Sequence, residues 1–270
     1  MKKGIIFFKS IIVPILLLGL WELISRNHCI LEAIYRLFGY SKEKIPDFSF
    51  ISPISSILSS LWAMLQTKEF YSLLGDTLLV LFFAFVLSLV FGITIGSMIG
   101  LHKRLERYLF STVDALRSVP PIALIPLFIL FLGIDNQMKI AFVLFGGVWA
   151  VLMNTFFGIR DIDPIYLKVA KNLQLSKYNT LFKVIFPLAS PAIFTGLKIS
   201  LSLCLILTIV CEMLIGNKGV GFLINVSKRN GDYDAMFAGI LVVAILGWSI
   251  NRLFNYADLH FLKWYYKKQQ

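Results

Sequence analysis

The chain has 270 residues, 58% of them hydrophobic, a formal net charge of +11 and three cysteines. Its mean hydropathy of +0.79 and its apolar runs of about 20 residues, long enough to cross a hydrocarbon core of about 30 Å, exclude an ordinary soluble domain. The Lys and Arg residues are scattered between those runs rather than gathered with aromatics on one face, which excludes nucleic-acid binding and points to anionic lipid headgroups; Cys29, Cys204 and Cys211 are odd in number, lack metal-ligand spacing and read as packing thiols.

In chain order, "MKKGIIFFKSIIVPILLLGLWELIS" opens as a secretory signal does, with Lys2 and Lys3 ahead of an apolar run. That run continues for about 20 residues and no small-x-small cleavage site follows, so a retained first span is expected, with Lys9 snorkelling to the headgroups. Residues 1–49 thus form an N-terminal transmembrane helix and outer loop. Ser52 and Pro53 read as the N-cap and first residue of an amphipathic helix with Ile54, Ile57, Leu58, Leu61, Trp62 and Leu65 on one face, lying on the outer membrane surface or packed on the bundle.

The second span, residues 77–101, carries no charge, and Gly92, Gly96 and Gly100 recur every four residues on one face. Such a face lets backbones approach closely where lipid gives no hydrophobic drive to association, so these glycines are expected to pack against another helix. The third span is interrupted by Pro120, Pro121 and Pro126, which remove three backbone donors. A helix starting near Leu105 must kink at the Pro-Pro pair, and carbonyls freed inside a membrane are tolerated only where protein or water satisfies them, so this segment is expected to line something wet. Asp114 and Arg117, at i and i+3, form either a solvated interfacial ion pair or part of a gate.

The fourth span, residues 138–159, contains Gly146, Gly147, Asn154 and Thr155, and the fifth, residues 193–215, contains Lys198 and Glu212. Charges at such depths face a protein or water interior, although Lys198 is near enough to an end to snorkel. Pro120, Pro121, Pro126, Asn154, Thr155 and Glu212 are therefore the candidates for a translocation pathway. Asn154 and Thr155 read equally well as hydrogen-bonding a neighbouring helix. The sixth span, residues 235–254, leads into a tail whose aromatics and lysines suit an interface. With six spans and both termini cytoplasmic, the basic stretches 102–107 and 160–183 fall inside.

Between the fourth and fifth spans lies a polar, basic stretch. After "RDIDP", Asp163 and Pro164 resemble an N-cap and first-turn pair, and residues 165–174 fit one helix with Ile165, Val169 and Leu173 along a face and small Ala170 beside it. Residues 177–186 fit a second helix, ending before Pro187. Two short crossing helices make a rigid knob whose apolar face needs a partner groove.

The sequence "YLKVAKNLQLSKYNTLFKVIFPLASPAIFTGLKISL" resembles the coupling loop of ABC importer permeases, whose pattern is Glu-Ala-Ala, three residues, Gly and then a Pro-ended helix. The resemblance starts at Ser52-Pro53, runs through "RLERYLFSTVDALRSVPPIALIPLFILFLGI" and "LMNTFFGIRDIDP", and closes with "EMLIGNKGVGFLI" and "FAGILVV". It is similar in detail to the sulfonate, taurine, nitrate and thiamine-precursor branch. There are departures: Lys168, Val169 and Ala170 stand where the pattern has Glu-Ala-Ala, and Gln174 where it has Gly, whereas Val184, Pro187 and Pro191 fit. Lys168 reverses a charge at the docking face, and Gln174 calls for a reshaped turn or weakened coupling, because Gly takes positive φ far more easily.

The resemblance implies an all-α, polytopic protein with six transmembrane helices and the type I ABC importer permease fold. Residues 50–266 would be the permease domain, with the coupling loop at 161–190 and a basic tail at 267–270. Ile165, Lys168, Val169, Ala170, Leu173, Gln174, Val184 and Pro187 would couple to the motor. Implied partners are an ABC ATPase subunit, an extracytoplasmic solute-binding protein, a second permease copy and membrane lipids, in a bacterial inner membrane; the solute would be a sulfonate, nitrate or thiamine-precursor-like molecule. The chain contains no G-x-x-x-x-G-K-[ST] phosphate loop, so no cofactor is expected on it and ATP belongs to a partner. A membrane enzyme is disfavoured because His28, His102 and His260 are spread along the chain. An ion-coupled secondary transporter or channel would explain the kinks and buried charges but not the knob.

Overall fold

The structure is a computed structural model that describes residues 16–27 and 50–266, together with Val13 and Leu37; among them there is no strand. Most of the first expected span, the outer loop at 28–49 and the tail at 267–270 lie outside the described residues. The chain forms two compact units, Met1–Leu73 with Leu223–Val243, and Leu74–Phe222 with Ala244–Gln270.

In the first unit, residues 16–26 are helical and α1 spans Ile54–Leu65. Its start differs from the sequence expectation. Pro53 sits in the N-cap position in extended conformation with no side-chain cap of its own, and Ser52 uses its carbonyl to accept the Trp21 indole N–H at 3.0 Å. The cap comes from Glu22, whose Oε2 accepts the amides of Ile54 at 2.6 Å and Ser55 at 3.3 Å. A carboxylate is well placed at the positive end of a helix dipole, and Arg26 holds this one at 2.7 Å. Of the apolar face of α1, Ile57 is buried, while Leu58, Trp62 and Leu65 stay exposed.

The remaining helices are α2 (Lys68–Leu101), α3 (Lys103–Arg117), a 3₁₀ turn at Pro121–Leu124, α4 (Ile125–Leu132), α5 (Asn136–Arg160), α6 (Pro164–Asn172), α7 (Lys177–Thr180), a π turn at Leu181–Ile185, α8 (Phe186–Ile215), α9 (Val220–Arg229), α10 (Tyr233–Phe261) and α11 (Lys263–Tyr266). By length and apolarity α2, α5, α10 and the continuous run Lys177–Ile215 can each cross a membrane. The broken pair α3 and Pro121–Leu132, bent by 85°, makes a fifth candidate. Pro120 and Pro121 cause that break: neither can donate, and the chain leaves helical geometry between Ser118 and Pro120.

The core of the second unit forms where α5 meets α8 and α2. One cluster joins Val80, Ala84, Phe142, Val143, Cys204 and Leu207; another joins Val151, Ile159, Ile185, Ala189 and Leu197. Small residues allow the close approach. A Cβ on Gly92 would meet Val151 Cβ at 2.5 Å, one on Gly96 the Leu152 carbonyl oxygen at 2.6 Å, and one on Gly100 the Ile159 Cβ at 3.2 Å. All three glycines thus face α5, and Gly147 and Gly196 do the same work between α5 and α8.

Two span limits differ from the sequence expectation. α2 begins at Lys68 rather than Thr77, because nothing between them breaks a helix and Gly75 has open space around it. More consequentially, the helix starting at Lys177 does not stop before Pro187 but runs to Ile215, 39 residues in all. The π turn absorbs the proline: the Phe186 amide donates to the Leu181 carbonyl five residues back, a wide turn just where Pro187 offers no N–H. Pro191 is carried too, since the Pro187 carbonyl, deprived of the Pro191 amide, accepts the Ser190 hydroxyl at 2.8 Å.

Candidate functional site

Two places stand out in the second unit, the helix pair around α6 and a buried polar cluster at the other end of α8. α6 starts where Asp163 caps it, Oδ1 accepting the Ile165 amide at 2.9 Å, with Pro164 as first residue. It ends in a Schellman motif: the Leu175 amide donates to Ala170 O at 3.1 Å and the Gln174 amide to Lys171 O at 3.0 Å. That motif needs a left-handed residue, and Gln174 takes it at φ 51, so the sharp turn is kept rather than reshaped. Relieving this backbone cost by Gln174→Gly should raise stability by about 1 kcal/mol, read as a higher midpoint in a thermal melt, whereas Gln174→Ala should not.

Ser176 caps the next helix through the Asn179 amide at 3.2 Å. α6 and its C-cap present three exposed apolar side chains in a row, Ile165 at 57%, Val169 at 50% and Leu173 at 67% exposure, while Ala170 is buried at 2%. Val169, Ala170, Leu173, Val184 and Pro187 converge, with Trp264 of α11, on an apolar groove of about 440 Å³. Ile165, Lys168 and Gln174 lie outside that groove, Lys168 exposed and without an ion-pair partner among the described residues. Trp264 was not foreseen in this position: read from sequence, its aromatic cluster suits an interface equally well.

At the other end, Glu212 is fully buried. The Thr77 hydroxyl lies 3.0 Å from both carboxyl oxygens, the Gly221 amide donates to Oε2 at 3.0 Å, and the Val220 amide donates to Thr77 Oγ1 at 2.9 Å. Gly219, at φ 108, must be glycine for a second reason, since a Cβ there would run into the Glu212 carboxyl group. Lys139, also fully buried, donates to the Lys218 carbonyl at 2.9 Å. Two buried ionisable side chains therefore hold the chain as it enters α9: Lys139 of α5 bonds the Lys218 carbonyl, and Glu212 with Thr77 of α2 bonds the Gly221 and Val220 amides. Thr77, Lys139 and the loop glycines escaped the sequence reading. Lys139 carried a usable signal, a lysine next to the first residue assigned to an apolar span.

The other pathway candidates are dispersed. Pro120 and Pro126 are exposed and Pro121 half-buried beside Gly146. Asn154 Nδ2 donates to Ala150 O at 2.8 Å within α5, and its residue borders a cavity of about 410 Å³ shared with Asp161, Asp163 and Tyr265. Thr155 is buried in the seam with Gly96, its hydroxyl without a hydrogen bond among the described residues. Asp114 and Arg117 do pair, at 2.6 Å, with both side chains about half exposed. Among the described residues no three His, Cys, Asp or Glu side chains are grouped to hold a metal ion.

Residues 88–262 match the family model described as "Binding-protein-dependent transport system inner membrane component". A Bacillus subtilis (strain 168) protein named as an aliphatic sulfonates transport permease, SsuC, is 28% identical over 97% of this chain and 90% of its own length. The nitrate import permease protein NrtB of Leptolyngbya laminosa is 32% identical over 64% of this chain and 62% of its own. In fold, the chain resembles a solved bacterial alginate ABC transporter in complex with an alginate pentasaccharide-bound periplasmic protein, with TM-score 0.65, 14% identity, and 90% of this chain and 98% of the other covered.

Proposed function

Because the chain belongs to the family of binding-protein-dependent transport system inner membrane components, we propose that it forms half of a solute pathway and that its helix pair, α6 with the start of the Lys177–Ile215 helix, seats in a separate ATPase subunit. The protein is an ABC importer permease, an all-helical, multi-pass component of the inner membrane. A second copy completes the pathway, an extracytoplasmic binding protein delivers the solute, and both termini face the cytoplasm, where the helix pair meets the motor. The relatives named for aliphatic sulfonates and nitrate make a small oxyanion the solute class of choice. No cofactor is needed on this chain, because ATP is bound by the partner.

The single observation that carries this reading is the row Ile165, Val169 and Leu173. Three large apolar side chains half or more exposed on one short helix, anchored from behind by buried Ala170, are the face of a helix made for a groove. Lys168 beside them selects an acidic patch on the ATPase, in place of the usual opposite arrangement. The Pro120–Pro126 break, Asn154 and Thr155 belong to the pathway in this reading, with Glu212 holding its outer end together.

The test is co-purification with the ATPase. Val169→Asp or Leu173→Asp puts a carboxylate into a desolvated contact, which costs about 2–3 kcal/mol and should cut ATPase retention about 30- to 160-fold. Both side chains face outward, so thermal melting of the permease itself should stay put. Wild-type retention by both variants would remove the helix pair from the coupling interface.

A further inference from the structure

A cavity of about 920 Å³ in the second unit belongs neither to the coupling groove nor to the Glu212 cluster. It opens beside the last residues of two spans, Gly100 and Leu101 of α2 and Ile159 and Arg160 of α5, the depth at which acyl chains give way to headgroups. On one wall Lys103, Arg107 and Ser111 stand at i, i+4 and i+8 of α3, so all three point to the same side. Glu106 pairs with Arg160 across the cavity, and that guanidinium also lies 5.7 Å from the Phe156 ring centre. The pair neutralises itself. Lys103 and Arg107 are exposed and have no ion-pair partner among the described residues, which leaves two uncompensated positive charges over a floor that includes Phe110, Ile159 and Ile185.

We propose that this cavity binds the phosphate of an anionic phospholipid, with Lys103 and Arg107 on the phosphate, Ser111 donating to it or to the glycerol, and the acyl chains leaving over the apolar floor. The chemistry of the walls favours a lipid over a soluble anion, since half of the lining is apolar and a free phosphate has no use for it. α3 itself has the character of an interfacial helix: its basic first turn is followed by exposed Tyr108, Leu109 and Leu116, an aromatic and aliphatic face suited to the boundary layer. The occupant thus sits against the first turns of α3, and against α5 just before it turns into α6.

The test uses the whole chain in detergent, titrated separately with phosphatidylglycerol, phosphatidylcholine and inorganic phosphate and read by native mass spectrometry and thermal shift. Phosphatidylglycerol should bind and raise the melting midpoint; phosphatidylcholine and inorganic phosphate should do neither at the same concentration. Lys103→Ala and Arg107→Ala should each weaken phosphatidylglycerol about fivefold, at about 1 kcal/mol per basic residue. Arg107→Lys should restore most of the affinity, and Lys218→Ala, at the opposite end of α5 from the cavity, should leave it unchanged. Since both wall residues are exposed, the variants keep their fold, checked by size-exclusion chromatography and circular dichroism. Equal affinity for phosphatidylcholine, a response to inorganic phosphate alone, or unaltered phosphatidylglycerol binding in the Lys103→Ala, Arg107→Ala double variant would each overturn the proposal. So would a loss of ATPase retention in that variant with lipid affinity unchanged, which would give the cavity to a protein.

Discussion

Glu212→Leu should destabilise the protein by about 3 kcal/mol, seen as a fall of several degrees in the melting midpoint and poor recovery from the membrane. Leucine fills much the same volume, so the loss is not one of packing. It leaves the buried Gly221 amide without its acceptor, at about 1–3 kcal/mol for a stranded donor, and takes from the Thr77 hydroxyl its bonds to the carboxyl group. With that clasp open, the Gly216–Gly219 loop is held by Lys139, which donates to the Lys218 carbonyl, and by Asn217, which donates to the Ile134 carbonyl. Glu212→Gln should be milder, about 2 kcal/mol, because one amide oxygen can still accept while the NH₂ group confronts donors. Thr77→Val removes the hydroxyl that links the carboxyl group to the Val220 amide and should fall between wild type and Glu212→Leu. A Glu212→Leu protein melting within about 2 °C of wild type would show that water enters the cluster and satisfies what the carboxyl group did.

The second large effect belongs to Gly96. Even alanine there brings a Cβ to 2.6 Å from the Leu152 carbonyl oxygen and 2.9 Å from Thr155 Cβ, and a backbone oxygen cannot swing aside as a side-chain tip can. Gly96→Val should cost about 3 kcal/mol or more, or prevent assembly of α2 on α5. A control lies in the same helix: Gly75 has nothing within 4 Å of its would-be Cβ, so Gly75→Ala should be neutral or stabilising by up to about 1 kcal/mol through helix propensity. Gly100, with its nearest contacts at 3.2 Å, should tolerate alanine better than Gly96 does. The ratio of folded to aggregated protein on size-exclusion chromatography reads all three. Equal behaviour of the Gly75 and Gly96 variants would mean that the seam between α2 and α5 is looser than its atoms indicate.

These two effects differ in how far they can be read from sequence. The glycine face needs only the period of a helix and the size of a side chain, both local properties, and the same holds for Asp163 and Pro164 at the start of α6. The Glu212 cluster is different in kind. Its partners lie 135 residues away at Thr77 and nine away at Gly221, so only the fold brings them together, although an ionisable residue in an apolar run announced that something must. Long-range capping is equally hidden: nothing around Ser52 shows that Glu22, 32 residues before Ile54, takes over the N-terminus of α1. Pro187 shows a third kind of limit. Its stop signal is physically sound for an α-helix, and it is defeated by a change of helix type, with a serine hydroxyl standing in one turn later for the second missing amide.

In the proposed coupling, the unbroken run from Lys177 to Ile215 leaves no swivel between the end that seats in the ATPase and the end that crosses the lipid. At 1.5 Å per residue its 39 residues make a rod about 58 Å long, so a tilt of about 5° imposed at one tip swings the other through about 5 Å. A tether would dissipate such a push; a rod delivers it. The widened turn at Leu181–Ile185 sets the phase of that rod, because one residue more or fewer there rotates the motor-side tip by about 100° against the membrane-side shaft. In that arrangement the angular timing between the two ends of the machine is written into five residues, Leu181–Ile185.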